Sequence, residues 1–541
     1  MKHGTHLFWQ ILLVLFVVLL ALLCATEWTA WSLGWSPRFG EPLFVILDMP
    51  VYVPWAFFGW WYSFDAYAPD VFERGGMIAG SGGIAAIVIA VTGSILRARG
   101  DKRVSTFGSA RWAESKDLRK SGLLKPAGVF LGQTEGAYLR HDGPDHVMAF
   151  APTRSGKGVG LVVPTLLSWP HSVLVHDIKG ENWQLTSGWR SEFSHCVRFD
   201  PTDIVSAHFN PLMEVRRGLN EARDVQNIVD ILVDPRGVVE EPGHWVDKAK
   251  SLLTGAILHV LYAEPEKTLA RVGTFLADPD RTFRTTIEIM KRTNHLGTNE
   301  APRVHPIVAT KAREMSNQTE NELSGVLSTA LRFLALYADP VIAEVTSRSD
   351  FRIDDLVSGD RPLSLYLVVP PSDLSRTKPL MRLILNQVGR RLTEHLDVSP
   401  FKVSRSISIV ANTLRACGLL APQVSVAAPK TRRRVLFMLD EFPALGKLDF
   451  FESALAYMAG YGLKAFLIAQ SLNQIEKAYG PSNAILDNCH VRVAFATNDE
   501  RTAKRISDAL GTKTEQRAMK NYAGHRLAPW LSHKMVSRQE T

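Results

Sequence analysis

The sequence predicts an α/β fold in which a domain of alternating strands and helices is interrupted by an all-helical block and preceded by two membrane-spanning helices. Three observations support this prediction. Two long uncharged stretches lie within the first 96 of the 541 residues. Short apolar runs typical of buried strands follow, several of them continued by a helical pattern. Between about 215 and 345, helical periodicity dominates and strand-like runs are few, which indicates a helical insertion.

Residues 1–96 are predicted to form a membrane anchor. The spans are expected at about 7–25 and 76–96, because both stretches lack charged side chains and about 20 apolar residues suffice to cross the hydrocarbon core. A cleaved signal peptide is the alternative for the first stretch, although such signals have apolar regions of only about 7–15 residues. Small residues in the second stretch suit close packing of helices in lipid.

The charges around the two stretches predict their orientation. Basic residues follow the second stretch directly, whereas the loop 26–75 between the stretches carries more acidic than basic side chains. Since basic residues favour the cytoplasmic side, both ends of the chain are expected there. The aromatic segment 43–64 could form a third, broken span, although Asp48, Pro50 and Pro54 argue against it.

The stretch "HVMAFAPTRSGKGVGLVVP" (146–164) predicts a phosphate-binding loop. An apolar strand leads into a loop containing Gly156 and Lys157, and a helical pattern follows, which is the context that a P-loop requires. Backbone N–H groups of such a loop hold phosphate oxygens, and the lysine adds a positive charge. A glycine-rich turn without a ligand is the alternative. The candidate nucleotide-binding residues are Thr153, Arg154, Ser155, Gly156, Lys157, Gly158 and Val159.

Two positions of this loop depart from the usual pattern G-x-x-x-x-G-K-[ST]. Ala151 replaces the first glycine, and Gly158 stands where a serine or threonine hydroxyl normally helps to hold Mg²⁺. A metal ion must therefore rely on a carboxylate, on waters and phosphates, or on another hydroxyl such as Thr153 or Ser155.

Two further apolar runs supply polar groups where the predicted strands end. "VLFMLDE" (435–441) ends in Asp440, a candidate Mg²⁺ ligand, and Glu441, a candidate base for the attacking water. "KAFLIAQS" (464–471) ends in Gln470 and Ser471, and Gln470 is the candidate contact to the terminal phosphate. Because ligands of open α/β sheets bind at the carboxyl ends of strands, all three runs are expected to meet in one crevice. An ordinary strand ending in an acidic turn is the alternative for the second run.

The chain resembles a known family, the type IV coupling proteins or TraG-like ATPases of conjugation and type IV secretion. The resemblance covers roughly residues 105–525. It rests on motifs that extend beyond the nucleotide loop: "PTRSGKGVGLVVPTLL" (152–167), in which glycine follows the lysine as in the family, "VHDIKGENWQLTSGWR" (175–190), "FNPL" (209–212), "HWVDKAKSLLTG" (244–255), "LSTALRFLALYADP" (327–340), "LDEFPALGKL" (439–448) and "IAQSLNQI" (468–475).

The resemblance implies a RecA-like P-loop NTPase motor that hydrolyses ATP with Mg²⁺. It implies a nucleotide-binding domain in two parts, 97–214 and 346–541, with an all-α domain at 215–345 between them. The anchor would lie in a bacterial inner membrane as a multi-pass segment with a periplasmic loop, and the bulk of the chain would be cytoplasmic. Implied partners are single-stranded, relaxase-bound DNA, relaxosome proteins, channel components that contact the anchor, and further copies of the chain in a hexamer.

Two features depart from the family pattern. No arginine lies between Glu441 and Gln470, where a ring motor can place a residue that reaches the neighbouring nucleotide. Arg501 and Arg505 are the substitutes, with ordinary surface arginines as the alternative. The chain also stops at Thr541, where a further strand and tail are expected, so a shortened motor domain is predicted.

The charge distribution and the altered loop leave other functions to consider. The net charge of +8 is the sum of −3 in residues 1–96 and +11 after them, and the basic remainder fits a polyanionic partner without requiring one. The stretch 401–434 has seven basic residues and no acidic one, which predicts either a DNA-contacting loop or an irregular insertion. The alternative functions are a non-hydrolysing membrane receptor and an FtsK-like translocase. Glu441 argues against the receptor, and Gly158 against the translocase.

Overall fold

The computed structural model describes residues 3–46, 49–100, 108–234, 243–394, 432–513, 516–519 and 537–540. They form two compact units. The first comprises 1–111 together with 511–541, and the second comprises 112–510. Each unit is described separately below.

The first unit contains a pair of long helices joined by a small hairpin and a short helix. Its elements are α1 (His3–Ser32), β1 (Phe44–Ile46), β2 (Met49–Val51), α2 (Ala56–Phe64) and α3 (Pro69–Gly100). Strands β1 and β2 pair antiparallel. The segment 43–64 is therefore not one continuous span, and α2, at about 1.5 Å per residue, is too short to cross the hydrocarbon core.

Helices α1 and α3 pack closely in opposite directions. Near one end, the Gln10 amide donates to the carbonyl oxygen of Ala90 at 2.9 Å. Near the middle, a Cβ added to Gly82 would lie 2.0 Å from the Cβ of Ala21, so only glycine fits there. Trp9–Ser32 and Pro69–Ile95 are long and apolar enough to cross a membrane, which agrees with the predicted spans near 7–25 and 76–96.

The aromatic residues of the connecting loop build a small core of their own. The rings of Phe39 and Trp60 lie 4.3 Å apart, and the Trp60 indole N–H donates to the Phe39 carbonyl at 3.2 Å. Tyr52 packs edge-on against Trp60 at 4.9 Å. Part of the aromatic stretch thus folds onto itself, whereas Trp55, Phe58 and Tyr62 remain exposed.

The second unit is built on a seven-stranded parallel sheet. Its strands are β5 (Val147–Phe150), β6 (Ser172–Asp177), β7 (His195–Phe199), β8 (Leu363–Val368), β9 (Val435–Leu439), β10 (Leu463–Ala469) and β11 (Val491–Ala494). They lie in the order β11-β5-β10-β9-β6-β8-β7. Strands β5, β6 and β8 to β10 are mostly apolar and are buried, because crossover helices of a parallel sheet cover both faces.

Other elements of the second unit cover this sheet. A hairpin of β3 (Val129–Thr134) and β4 (Ala137–His141) packs over one face together with α5 (Val163–Ser168). The helices outside the helical block are α4 (Ser115–Lys120), α5 (Val163–Ser168), α6 (Glu181–Ser191), α14 (Asp355–Ser358), α15 (Leu374–Leu392), α16 (Asp449–Met458), α17 (Leu472–Tyr479) and α18 (Glu500–Leu510).

A helical block lies between β7 and β8. Among the described residues of 215–345, the regular secondary structure is helical. These are α7 (Glu221–Val233), α8 (His244–Ala263), α9 (Leu269–Leu276), α10 (Phe283–Arg292), α11 (Pro306–Ser316), α12 (Glu320–Leu334) and α13 (Pro340–Val345). Thr319 and Glu322 form a capping box at the start of α12, and Pro306 begins α11. The predicted α/β fold with a helical insertion is confirmed.

One continuous apolar core connects the helical block with the other face of the sheet. It contains β-strand residues such as Phe437 and helix residues such as Leu252 and Val326.

The chain then returns to the first unit in β12 (Gln516–Met519) and β13 (Ser537–Glu540), which pair antiparallel.

Buried histidines of the helical block form a directed set of hydrogen bonds. The His305 backbone N–H donates to His295 Nδ1 at 3.3 Å, so the His295 proton resides on Nε2 and is donated to His259 Nδ1 at 2.9 Å. Burial lowers the pKa of His259 to about 3 and that of His295 to about 4. His305 Nε2 in turn lies 2.8 Å from Glu221. The His259 and His295 rings are therefore neutral near pH 7.

Candidate active site

Three neighbouring strands bring the predicted residues together at one edge of the sheet. Strands β5, β10 and β9 are adjacent and parallel, so the segments that follow them leave the sheet side by side. Lys157 Nζ lies 2.7 Å from Asp440 Oδ1 and 2.7 Å from Glu441 Oε1. Gln470 Nε2 donates to the same Glu441 oxygen at 2.9 Å. The crevice predicted from three strand ends is therefore present in the fold.

The electrostatics of this group depend on partial burial. The side chains of Lys157, Asp440 and Glu441 are 17%, 22% and 19% exposed. Burial by itself lowers the pKa of Lys157, but the charges and hydrogen bonds of Asp440 and Glu441 outweigh it, and the pKa is raised. The ammonium group therefore stays charged at neutral pH. A phosphate oxygen approaching it would compete with two carboxylates.

The loop before Lys157 has the backbone of an anion-binding turn. Arg154 and Gly156 adopt left-handed conformations, with φ of 62° and 82°. Ser155, which lies between them, does not have a positive φ, and successive N–H groups in such a turn can point toward one side of the chain and bind an anion. A Cβ added to Gly156 or Gly158 would have no atom within 4 Å, so both glycines border open space where phosphate oxygens could lie.

The helix after this loop begins with a wide turn. Gly158–Val162 form a π-helical turn, in which the Val163 N–H bonds to the Gly158 carbonyl. Pro164 follows as the second residue of α5 and is accommodated because proline needs no N–H partner at the start of a helix. Proline inside a helix commonly distorts it, and here the distortion is this π-turn.

Glu441 adopts an unusual backbone conformation for a residue with a side chain. Its φ of 55° and ψ of 43° lie in the left-handed region, just before a short 3₁₀ turn at Phe442–Leu445. For non-glycine residues this region costs about 1–2 kcal/mol. The conformation is maintained because the carboxylate bonds to both Lys157 and Gln470.

His176 and Asp177, at the end of β6, support the crevice without having been predicted to do so. The fully buried His176 ring lies with Nδ1 3.0 Å from the Asp440 carbonyl oxygen, and burial lowers its pKa, so a neutral ring donates this bond. Asp177 accepts from the N–H groups of Gly180 and Trp183, both at 2.9 Å, and burial raises its pKa. The motif "VHDIKGE" was visible in the sequence, but its position beside β9 was not.

The residues present fit a divalent cation only in part. Within the described ranges, no three His, Cys, Asp or Glu side chains gather in a way that could hold a metal ion. Asp440 offers a carboxylate, and the buried hydroxyl of Ser155 has no hydrogen-bond partner among the described residues. An ion here would complete its coordination with phosphate and water oxygens, as Mg²⁺ commonly does.

The other predicted site residues are mostly exposed. Thr153 is exposed, and Val159 is 75% exposed at the start of the π-turn. Arg501 pairs with Glu476 at 2.8 Å, whereas Arg505 is exposed on the same helix α18. Both arginines line a groove between α17 and α18.

Most of the basic stretch 401–434 lies outside the described residues. The described part contains Arg432, Arg433 and Arg434. Arg433 donates to the carbonyl of Arg361 at 3.1 Å, and Arg434 pairs with Asp142 at 2.8 Å. These two side chains are thus engaged in contacts within the second unit.

Comparison with known proteins gives consistent matches over most of the chain. Residues 111–400 and 418–538 match the family described as "Type IV secretory system Conjugative DNA transfer". The conjugal transfer protein TraG of Escherichia coli is 39% identical over 526 residues, which cover 91% of this chain and 78% of that protein. Protein VirD4 of Agrobacterium fabrum is 30% identical over 490 residues, covering 87% of this chain and 66% of that protein.

Solved structures share the fold. The bacterial conjugative coupling protein TrwBdeltaN70, in its trigonal form in complex with sulphate, matches with a TM-score of 0.53 at 18% identity, covering 76% of this chain and 86% of that one. A second TrwB structure, in complex with ADP and Mg²⁺, matches with a TM-score of 0.50 at 17% identity, covering 76% and 84%.

Proposed function

The chain belongs to the conjugative DNA-transfer family of the type IV secretory system, the coupling proteins, and we propose that it is an inner-membrane ATPase that drives a DNA substrate into a secretion channel. The observation that carries the hydrolytic part of this proposal is the contact of Lys157 Nζ with both Asp440 and Glu441, joined by Gln470. A charged lysine, two carboxylates and an amide at adjacent strand ends are the groups that phosphoryl transfer from a nucleotide uses.

Each residue of the crevice has a proposed role. The backbone of residues 153–159 holds the phosphates, and Lys157 neutralises charge on the terminal ones. Glu441, which follows β9 in a left-handed backbone conformation, accepts a proton from the attacking water. Gln470 holds the Glu441 carboxylate and contacts the terminal phosphate.

Mg²⁺ is the proposed cofactor, with Asp440 as its protein carboxylate and Ser155 supplying the hydroxyl that Gly158 lacks. When bound, the ion neutralises negative charge on the phosphates. A TrwB structure contains ADP and Mg²⁺, which supports this choice for the present chain.

The proposed assembly follows from family membership. We propose a homo-hexamer that receives single-stranded, relaxase-bound DNA and relaxosome proteins and contacts channel components through α1 and α3. Those helices would anchor it in the bacterial inner membrane as a multi-pass protein with most of the chain in the cytoplasm. Exposed Arg505, more than the paired Arg501, suits contact with a nucleotide bound to a neighbouring subunit.

The proposal is tested by measuring ATP hydrolysis of the purified full-length chain, with and without single-stranded DNA. We expect DNA-stimulated hydrolysis. We expect Glu441→Gln to reduce kcat at least about 100-fold, since general acid–base catalysis contributes roughly 10²–10⁴-fold. Lys157→Ala should reduce kcat by about 10²–10³-fold, the usual loss when one electrostatic stabiliser of the transition state is removed.

Matched controls are Lys116→Ala and Glu320→Gln, whose side chains are 69% and 75% exposed. Both controls should retain activity. If the two crevice variants hydrolyse ATP as fast as the original chain, the proposal that ATP is hydrolysed at this crevice is wrong. The non-hydrolysing receptor then becomes the better interpretation.

A further inference from the structure

A groove of about 750 Å³ lies beside the phosphate loop and has no role in the function proposed above. Its volume lies within the range of roughly 300–1,000 Å³ that small-molecule sites occupy. The walls come from the β3–β4 hairpin, from the π-turn after Lys157, and from the end of β11. The residues that matter here are Phe130, Tyr138, Arg140, Val159 and Phe495.

The groove is continuous with the loop that would hold phosphates. Val159, which lies two residues after Lys157, lines it and is 75% exposed. On the opposite wall, the Phe495 N–H donates to the Phe150 carbonyl at 2.9 Å, so Phe495 lies beside the strand that enters the phosphate loop. A nucleotide held by its phosphates at Lys157 would therefore have its nucleoside within reach of this groove.

The hairpin wall presents the planar ring of Tyr138, which the neighbouring Phe130 and Arg140 side chains hold in place. Tyr138 is 51% exposed, and its ring lies 5.3 Å from the Phe130 ring. The Arg140 guanidinium lies 5.3 Å from the Tyr138 ring centroid. The Phe130 N–H donates to Thr165 Oγ1 at 2.9 Å, which fixes the hairpin on α5. The aromatic surface is thus positioned before any ligand arrives.

The hairpin also offers a donor and an irregularity that aims it. Arg140 lines the groove, and its guanidinium carries further N–H donors besides the buried Nε. The pairing of β3 with β4 shifts register between Phe130 and Gly132, and such bulges redirect neighbouring side chains near binding sites. An aromatic face and an N–H donor are the two features that recognise a nucleobase, by stacking and by a hydrogen bond to a ring acceptor.

We propose that this groove binds the base of the nucleotide whose phosphates lie at Lys157, with Tyr138 as the stacking surface and Arg140 as a donor to the base. This inference rests on the proposed nucleotide site and adds to it the residues that recognise the nucleoside. Tyr138 and Arg140 are binding residues and take no part in phosphoryl transfer.

The test compares two ligands that share phosphates but differ in the base. Dissociation constants of ATP and of inorganic tripolyphosphate are measured by calorimetry on the full-length chain in detergent micelles. Tyr138→Ala should weaken ATP about tenfold, which corresponds to about 1.4 kcal/mol, and change tripolyphosphate affinity less than about twofold. Tyr138→Phe, which retains the ring, should bind ATP as the original chain does. Tyr457→Ala removes a comparably exposed tyrosine elsewhere and is the matched control.

The outcomes separate this inference from the proposed function. Unchanged ATP affinity in Tyr138→Ala, or an equal loss for both ligands, overturns the base-binding role while leaving the phosphate site intact. If the original chain binds neither ligand, both the phosphate site and the groove assignment are wrong. Retained tripolyphosphate binding in Tyr138→Ala also shows that this variant is folded.

Discussion

Acidification should destabilise the helical block through His259 and His295, and the size of the effect can be calculated from their surroundings. Both rings are buried, and their pKa values are lowered to about 3 and about 4. Burial is the main cause for each, and the neighbouring His295 and Arg281 charges lower the His259 value further. In the unfolded chain both would titrate near 6.5.

The sign follows from where protons bind. Above pH 6.5 both states hold neutral rings, so these histidines do not make stability depend on pH. As the pH falls from 6.5 toward 4, the unfolded state binds protons that the folded state does not bind, and the free energy of unfolding falls. At pH 5 each histidine costs about 2 kcal/mol, or about 4 kcal/mol for the pair, from about 1.4 kcal/mol per pH unit.

Hydrogen exchange of peptides covering α8 and α10, in the full-length chain at pH 7.5 and 5.0, measures this loss after correction for intrinsic exchange rates. We expect protection to fall about 10³-fold in openings that expose both rings, because 1.4 kcal/mol is about tenfold. The control is the double variant His259→Leu/His295→Leu, compared with itself at the two pH values. Its protection should change less than about tenfold. A change as large as in the original chain would refute the assignment to these rings.

Two further predictions concern the sheet and its strand ends. Glu441→Gly should have a free energy of unfolding about 0.5–1 kcal/mol higher than Glu441→Ala, as measured by urea titration. Both variants lose the carboxylate, but only glycine accepts the left-handed backbone without strain. Equal urea midpoints of the two variants would contradict strain at this residue. Lys464 is buried with its ammonium against two carbonyls and His141, and burial lowers its pKa to about 7. Between pH 7 and 10 the unfolded state binds the proton that folded Lys464 has lost, so the free energy of unfolding should rise by up to about 1.4 kcal/mol per pH unit. Lys464→Met should lack this slope in urea titrations at several pH values. A slope of the same size in the variant would show that other groups cause it.

The strands and their polar ends could be predicted because each depends on local sequence. An apolar run of strand length followed by Gly156 and Lys157, or by Asp440 and Glu441, carries its interpretation within a few residues. The helical block could be predicted for the same reason, since its periodicity extends over some 130 residues.

The features that could not be predicted depend on which strands become neighbours. The bond from His176 to the Asp440 carbonyl requires β6 to lie beside β9, although more than 250 residues separate them in the chain. The left-handed backbone of Glu441 has no sequence signal, because glycine or asparagine is usual there. The groove at Tyr138 combines a hairpin with the last strand of the sheet, and neither segment contains a recognisable motif.

The contact between α1 and α3 at Gly82 has a consequence for how this chain can evolve. Every replacement of Gly82 adds a Cβ, and that atom would meet Ala21 at 2.0 Å. Gly80 and Gly83, on the same helix, border open space within 4 Å of an added Cβ. Homologues can therefore diversify at the two flanking glycines, whereas position 82 can change only together with Ala21, whose replacement by glycine would remove the 2.0 Å contact, or together with a shift of the helix pair.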